Sequence, residues 1–408
     1  MVEEKVLKIS KDVSWIGVLD KDIVTFDVVM ETREGTTYNS YFIDADKKVI
    51  IDTVKENFRE SYLNKLKQVT DPADIDYIVV THTEPDHSGC LKYVLDLAPR
   101  AVVYGSRQAI GYLQEMVSRP FESVFVKDGD LLDLGNKSLR FISAPNLHWP
   151  DTIYAYLQED KLLFTCDSFG AHYCREAMFD DLVGDFMDSS KYYFDVILKP
   201  FSHFMIKALE KIKDLEINAI CPGHGPVLRS TWKEKVKLTE KYAEQYIADS
   251  LCRDNSILIT YVSAYGYTRQ MAEAIAEGIR EIVDYRINIV DIENLRLGEL
   301  EELIVRSKSI LIGSPTINQN TLLPVYRMFS VINPLRDKGK KAAAFGSYGW
   351  SGEAVKIIES QLKVLKLNVV LEGISSKFSP DDKKHQHMVD FGRSFARYLV
   401  EPESDSGA

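Results

Sequence analysis

Cysteine is scarce: five residues in 408, at Cys90, Cys166, Cys174, Cys221 and Cys252. They are scattered, odd in number and form no CxxC pair. The chain therefore encodes no zinc knuckle, no rubredoxin-type iron site and no disulfide framework, and a reducing cytoplasm is the expected setting. Positive charge is also in deficit. Fifty Lys and Arg against 61 Asp and Glu give 50 − 61 = −11, a balance that repels nucleic-acid phosphates and anionic membrane surfaces. No apolar run approaches the ~18 residues of a membrane helix. The start, Met1-Val2-Glu3-Glu4-Lys5, has neither the basic n-region nor the apolar core of a signal peptide. Repeats and low-complexity tracts are missing too. With 45% hydrophobic and 27% charged residues, the composition is that of a soluble globular protein, not a disordered or fibrous one.

At about 150 residues per domain, the length suggests two or three domains, and two patterns divide it. In the first part, short runs rich in β-branched and aromatic residues read as strands with irregular connections: Val13–Leu19, Thr37–Ile43, Lys48–Asp52, Tyr77–Thr81, Ala101–Tyr104, Leu139–Ala144, Ile153–Leu157, Lys161–Cys166 and Ile217–Cys221. Helical periodicity appears at Cys90–Ala98 and Asp195–Leu215. Two sheets covered by helices fit this α/β pattern. A charged amphipathic segment, Trp232–Leu251, then precedes a regular alternation. Apolar strands at Ser256–Val262, Arg286–Asp291, Ser309–Ser314, Lys341–Gly346 and Asn368–Ile374 are separated by helices at Thr268–Val283, Leu297–Ser307, Thr321–Val331, Glu353–Val364 and Asp381–Leu399. That alternation predicts a doubly wound, parallel five-stranded sheet. The expected domains are residues 1–253 and 254–402, with 403–408 as a frayed tail.

Only eight histidines occur, yet two fall in the hexapeptide His82-Thr83-Glu84-Pro85-Asp86-His87. It follows an apolar strand, so its side chains lie at a strand end, where α/β folds place chemistry. Four metal-competent side chains in six residues have little structural use. His148, Asp167 and His224 also lie near expected strand ends. Singly, each reads more readily as a loop, cap or core residue; after the hexapeptide they complete a ligand set. His172 follows Asp167 closely and is a candidate proton donor or pocket residue, with packing as the equal alternative.

Chemistry-bearing loops recur in the second part. Ser263-Ala264-Tyr265-Gly266-Tyr267-Thr268 closes its first strand and opens a helix, where backbone N–H groups and the positive helix end suit a phosphate. Neither GxxxxGK[ST] nor GxGxxG is present, which argues against nucleoside triphosphate and dinucleotide sites. The turn resembles the flavodoxin phosphate loop, with Tyr265 replacing a customary hydroxyl residue. Alone it would be read as a helix cap. Two further loops on the same sheet edge strengthen it: Ser314-Pro315-Thr316-Ile317-Asn318 and Ser347-Tyr348-Gly349-Trp350-Ser351-Gly352. FMN binds that edge in flavodoxin-like sheets, and Tyr348 and Trp350 are candidates to cover its ring.

The ordered set HxExDH, His, Asp, His resembles the metallo-β-lactamase fold in its flavodiiron branch, the A-type flavoproteins. The hydrolase branch carries HxHxDH, so Glu84 is the telling residue: a carboxylate in place of an imidazole favours iron over zinc. The resemblance spans residues 1 to about 400. It implies an N-terminal metallo-β-lactamase-like αββα sandwich and a C-terminal flavodoxin-like domain, with FMN and two non-haem irons per subunit. On this resemblance His82, Glu84 and His148 hold one iron and Asp86, His87 and His224 the other. Asp167 bridges them, and His87 is the ligand that water replaces in some relatives. The implied activity is reduction of O2 to water with four electrons and/or of NO to N2O, with electrons passing through FMN to the irons. An external donor, rubredoxin or the reduced deazaflavin F420, is implied because no rubredoxin domain is appended, and so is a head-to-tail homodimer or a dimer of dimers. The rival readings are a dizinc hydrolase fused to a flavodoxin module, and a flavin carrier with a vestigial metal site.

Overall fold

The computed structural model describes residues 5–26, 30–251 and 255–400. The chain divides into two compact units, Met1–Tyr246 and Ile247–Ala408. The expected boundary at 253/254, the domain end at 402 and the tail 403–408 lie outside the described residues.

In the first unit, strands alternate their side chains between two apolar environments. Tyr41, Ile43, Val49 and Ile51 point into a core shared with Leu139, Phe141, Ala155 and Phe164 of a second sheet. The intervening Phe42 and Ile50 face the other way, onto Tyr62, Leu66, Leu91, Val94 and Leu113. Period-2 alternation with both faces apolar requires a sheet buried on both sides. The first sheet has seven strands, in the order Leu7–Lys8, Val13–Trp15, Tyr41–Ile43, Lys48–Ile51, Ile75–Val79, Val102–Gly105, Ser123–Phe125. The second runs Leu131–Asp133, Ser138–Ser143, Ile153–Leu157, Leu162–Cys166, Ala219–Pro222. Helices Arg59–Val69, Leu91–Leu97 and Arg107–Val117 cover the first sheet, and Ser202–Ile212 packs on the second. The result is an αββα sandwich.

The expected strands Val13–Leu19 and Thr37–Ile43 are each broken. Val18–Asp20 and Thr36–Tyr38 peel off to form their own two-stranded ribbon, which brings Thr36 and Thr37 over the second sheet's carboxyl end. The helix expected over Asp195–Leu215 is interrupted too. Pro200 lacks the N–H an α-helix needs, and the chain passes through a wide turn, Phe194–Leu198, and a tight one, Lys199–Phe201, before Ser202–Ile212.

Helix Trp232–Leu251 buries Lys235, Thr239, Ala243 and Tyr246, a stripe at helical spacing. Desolvation lowers the Lys235 pKa from its ordinary 10.5 to about 7. The folded state thus releases this proton while the unfolded chain still holds it, so stability rises with pH from about 7 toward 10.5. Lys235→Met is expected to raise the melting temperature at pH 7 by several degrees and to flatten that rise. An unchanged midpoint across pH 7–10 in calorimetry would contradict a buried uncompensated ammonium.

In the second unit, the strand order Arg286–Asp291, Ser256–Tyr261, Ser309–Gly313, Lys341–Tyr348 is parallel throughout, the flavodoxin-like order. Ile257 and Ile259 face helices Tyr267–Arg280 and Asp382–Val400. Leu258 faces Leu297–Arg306, Leu323–Val331 and Glu353–Val364. The expected fifth strand, Asn368–Ile374, is split: Asn368–Val369 pairs with Ala342 and Lys341, and Ile374–Lys377 with Phe345–Tyr348. Gly373 sits at the junction, where a Cβ would meet Val355 Cγ1 at 2.4 Å, so the chain crosses the helix beneath it only as glycine. Among the described residues, no helix is long and apolar enough to cross a membrane.

Candidate metal centre and cofactor loops

The carboxyl ends of Ile75–Val79, Leu162–Cys166 and Ala219–Pro222 deliver His82, Asp167 and His224 to one place. Asp52 anchors the first of these ends, accepting from the Thr81 N–H at 2.7 Å and the Thr81 hydroxyl at 2.5 Å. Pro85 opens a single helical turn, Pro85–Ser88, its fixed φ suiting the first helical position. At Asp167 the pairing register slips between Phe164 and Cys166, and Cys166 takes φ +45°. This bulge re-aims the side chain that follows. His148 arrives on the loop before Ile153–Leu157.

Asp167 is the hub. Its Oδ2 lies 3.4 Å from His82 Nε2 and 3.3 Å from His148 Nε2, and both of those nitrogens lie close to Glu84 Oε2, at 3.2 and 2.9 Å. Its Oδ1 lies 3.2 Å from His87 Nε2 and 3.5 Å from His224 Nε2, which approach Asp86 Oδ2 at 3.4 and 3.2 Å. One carboxylate thus faces two clusters, each containing two imidazole nitrogens and a second carboxylate. All seven expected ligand residues converge. Glu84 and His148 retain 12% and 19% side-chain exposure, so solvent reaches the cluster on their side.

Outer contacts aim the rings. His224 Nδ1 donates to the Thr37 carbonyl at 2.6 Å, which leaves the Nε2 lone pair directed at Asp86 and Asp167. His82 Nδ1 lies 3.3 Å from Asp151 Oδ1, and Asp151 also accepts from the Thr83 N–H at 2.8 Å. Such outer partners orient metal-binding histidines. The loop carrying His224 is held by Asn39, whose Nδ2 donates to the Pro222 and Gly225 carbonyls at 2.8 and 3.0 Å and whose Oδ1 accepts from Trp15 Nε1 at 2.9 Å. Asn39→Ala would leave Trp15 Nε1 and the Gly225 carbonyl unpaired, at about 1–3 kcal/mol each, while the Tyr41 hydroxyl still donates to the Pro222 carbonyl at 2.7 Å. A loss of roughly 2 kcal/mol or more in first-unit stability is expected in denaturant unfolding; a wild-type midpoint would show that the loop holds itself.

The electrostatics call for positive charge. Burial disfavours the charged form at His82 and His148, yet neighbouring carboxylates overcome it and raise both pKa values to about 10. Burial likewise opposes ionisation of Glu84 and Asp167, and the surrounding imidazoles still hold both well below the usual carboxylate range. Both Asp86 carboxylate oxygens and Asp167 Oδ2 are buried without a hydrogen-bond partner, a costly state for carboxylates unless they face cations. The mixed imidazole and carboxylate donor set suits iron, a harder set than one of imidazoles alone.

His172 is buried beside the cluster. Its Nδ1 lies 2.8 Å from Thr36 Oγ1, its ring centroid 5.1 Å from that of His224, and its Nε2 has no partner. Burial, reinforced by His224, lowers its pKa well below the ordinary value, so it is neutral. Tyr193 donates to Asp167 Oδ1 at 3.0 Å. No local pattern marks Tyr193, Thr36, Thr37 or Asn39; Asp151, three residues after His148, lies close enough in sequence to have been suspected.

The three loops of the second unit are tied together at the carboxyl edge of its sheet. Gly266 takes φ +83° just before helix Tyr267–Arg280. Thr268 Oγ1 lies 2.8 Å from Ser347 Oγ, and Thr316 N donates to the Ser347 carbonyl at 2.8 Å. Ser263 Oγ accepts from Arg269 N at 3.3 Å, and Thr316 Oγ1 accepts from Ala354 N at 3.2 Å. Asn318 sits at φ +54°. Tyr265 and Trp350 stand out from this edge, 81% and 76% exposed. For aromatic side chains this is unusual and suits a planar ligand.

Residues 36–225 match the ODP family beta lactamase model, and residues 259–391 the flavodoxin model. A type A flavoprotein of Rhodobacter capsulatus is 38% identical over 96% of this chain and 91% of its own. A nitric oxide reductase of Moorella thermoacetica is 35% identical over 96% and 98%. Among solved structures, the rubredoxin oxygen:oxidoreductase of Desulfovibrio gigas superposes with a TM-score of 0.69 at 26% identity, covering 97% of this chain and 98% of that one. With the same two-part architecture along nearly the whole length, the chain belongs to the type A flavoprotein, or flavodiiron, family.

Proposed function

We propose that this protein is a flavodiiron oxidoreductase that reduces O2 to water, NO to N2O, or both. The observation that carries the proposal is the double face of Asp167, one oxygen toward His82, Glu84 and His148 and the other toward Asp86, His87 and His224. We assign these seven residues as ligands of two irons with Asp167 as the bridge. The loops at 263–268, 314–318 and 347–352 are assigned to FMN. Bound there, flavin and irons supply the redox chemistry, storing the four electrons that O2 + 4 H⁺ requires or the two that 2 NO + 2 H⁺ requires.

The chain's own groups prepare the site. The Thr37 carbonyl and Asp151 hold two imidazoles in the ligating tautomer, and Tyr193 fixes Asp167 through Oδ1. Neutral His172 and the hydroxyls of Thr36 and Tyr193 are protic groups packed together beside the cluster, candidates to relay the protons both reactions consume. Glu84 and His148 form the exposed side by which small gases enter. The same reading includes a cytoplasmic setting, an external donor such as rubredoxin or reduced F420, and a head-to-tail homodimer or a dimer of dimers. That the similar Desulfovibrio gigas protein is a rubredoxin oxygen:oxidoreductase supports the first of these donors.

Anaerobic purification followed by metal and flavin analysis tests the assignment. Two irons and one FMN per chain are expected, with gas consumption after chemical reduction. Zinc without iron, together with hydrolase activity, would support the dizinc alternative instead.

A further inference from the structure

The histidines of the cluster are not held alike. His82 and His224 are fixed through Nδ1 by Asp151 and by the Thr37 carbonyl. His87 is fully buried and its Nδ1 has no hydrogen-bond partner. The Cys166 thiol lies within 4.8 Å of one of its ring nitrogens and is in weak polar contact with the imidazole, but no partner anchors Nδ1 as Asp151 and the Thr37 carbonyl anchor the other two rings. A thiol is a weak hydrogen-bonding group, so packing carries most of the aim of this ring. Its His224 side is set by an edge contact with centroids 4.7 Å apart. On another side lies Gly223, where a Cβ would stand 2.7 Å from His87 Cε1, closer than a methyl carbon can come to a ring carbon.

Gly223 is not at positive φ, so its backbone conformation does not demand glycine. Nor is the segment free to retreat. Gly223 N donates to the Cys166 carbonyl at 2.6 Å, and its own carbonyl accepts from Asn39 N at 2.8 Å. The imidazole is the mobile partner in this contact, and the absence of a side chain at 223 leaves the space it occupies.

We propose that Gly223 is a positioning residue for His87: its missing side chain takes the place of the outer hydrogen bond that His87 lacks and keeps Nε2 turned toward Asp86 and Asp167. The inference rests on the metal-centre reading for its consequence, but its geometric part is independent of metal. Gly223→Ala should turn His87 outward and weaken one of the two metal positions while sparing the position built by His82, Glu84 and His148.

Crystal structures of the metal-free wild type and of Gly223→Ala decide the geometry. In the variant His87 Nε2 should withdraw from its 3.2 Å approach to Asp167 Oδ1; a ring that stays in place overturns the proposal. Competition with a chelator then reads the metal. One of two irons should bind about 10–100-fold more weakly, the scale of losing an outer-shell partner, and an unchanged affinity for both contradicts it. Gly223→Ala in a His87→Ala background removes the imidazole from the contact. This double variant should hold iron as His87→Ala does and melt close to it, even if Gly223→Ala alone folds poorly. A further loss of iron or stability in the double variant would show that the glycine serves the Cys166 backbone, 3.1 Å from the added methyl, and would overturn the proposal. If the wild type binds no iron at all, the proposed function fails, and the metal-free comparison still decides the role of Gly223.

Discussion

Asp167→Ala is expected to empty both metal positions while FMN stays bound and reducible. Most ligand deletions should affect one position, since Glu84 meets only His82 and His148, and Asp86 only His87 and His224, in the contacts that define the cluster. Asp167 alone contributes an oxygen to each. Its removal leaves two carboxylates for two metals, takes away the bridge and leaves the Tyr193 hydroxyl without its acceptor. The loss of iron affinity should exceed the 10–100-fold typical of outer-shell partners at both positions, and gas consumption should fall to background. Iron and flavin content and anaerobic flavin reduction are the readouts. Retention of one firmly bound iron would remove Asp167 as the bridge, and loss of flavin would contradict the assignment of the two cofactors to separate units.

The converse is expected of Gly278→Ala. Helices Tyr267–Arg280 and Asp382–Val400 cross so closely that a Cβ at Gly278 would fall 1.9 Å from the Val389 carbonyl oxygen, and one at Gly392 would fall 2.1 Å from that of Ile275. Backbone atoms of a helix cannot rotate aside as a side-chain tip can. The helices would have to separate and loosen the packing of Met271, Ile275, Ile279 and Phe395. Overpacking of this kind costs about 1–3 kcal/mol or more, and the ~1 kcal/mol by which alanine outranks glycine in a helix offsets only part of it. Since helix Tyr267–Arg280 also carries the phosphate-loop end, FMN should be lost at a lower temperature, with iron retained. An unchanged flavin-release temperature would mean the crossing relaxes without penalty.

The contrast between these sites explains what the sequence disclosed. The hexapeptide at 82–87 is legible because a strand end followed by one helical turn places four donors within six consecutive residues. Order along the sequence then finds His148, Asp167 and His224. Thr36, Thr37, Asn39 and Tyr193 stay hidden because their partners lie far away; Thr37 and His224 are 187 residues apart. Tyr193 carries no local signal and acts through a fold contact. Asp151 was within reach, sitting in the His148 loop.

In the fold, alternation of strands and helices makes the parallel, doubly wound sheet of the second unit legible. Its fifth strand is not a single span: pairing breaks between Val369 and Ile374, and Gly373 at that break lies too close to Val355 for a side chain. In the first unit, residues 13–19 and 36–43 keep strand composition across the point where the chain changes partners. Composition reports burial and not which sheet does the burying. The packing that aims His87 depends on a side chain that is not there, and only coordinates reveal a close approach of that kind.

The most direct test of the central assignment is a single-turnover electron count. Protein loaded with two irons and one FMN, reduced anaerobically by four electrons per chain and then mixed with limiting O2 or NO, should consume one O2 per four electrons without releasing hydrogen peroxide or superoxide, or convert two NO to one N2O per two electrons, or both. Two electrons delivered per O2 with peroxide released and no N2O formed from NO, or a reduced flavin that reoxidises at the same rate with either gas in the Asp167→Ala variant, would contradict a metal centre that reduces the gas.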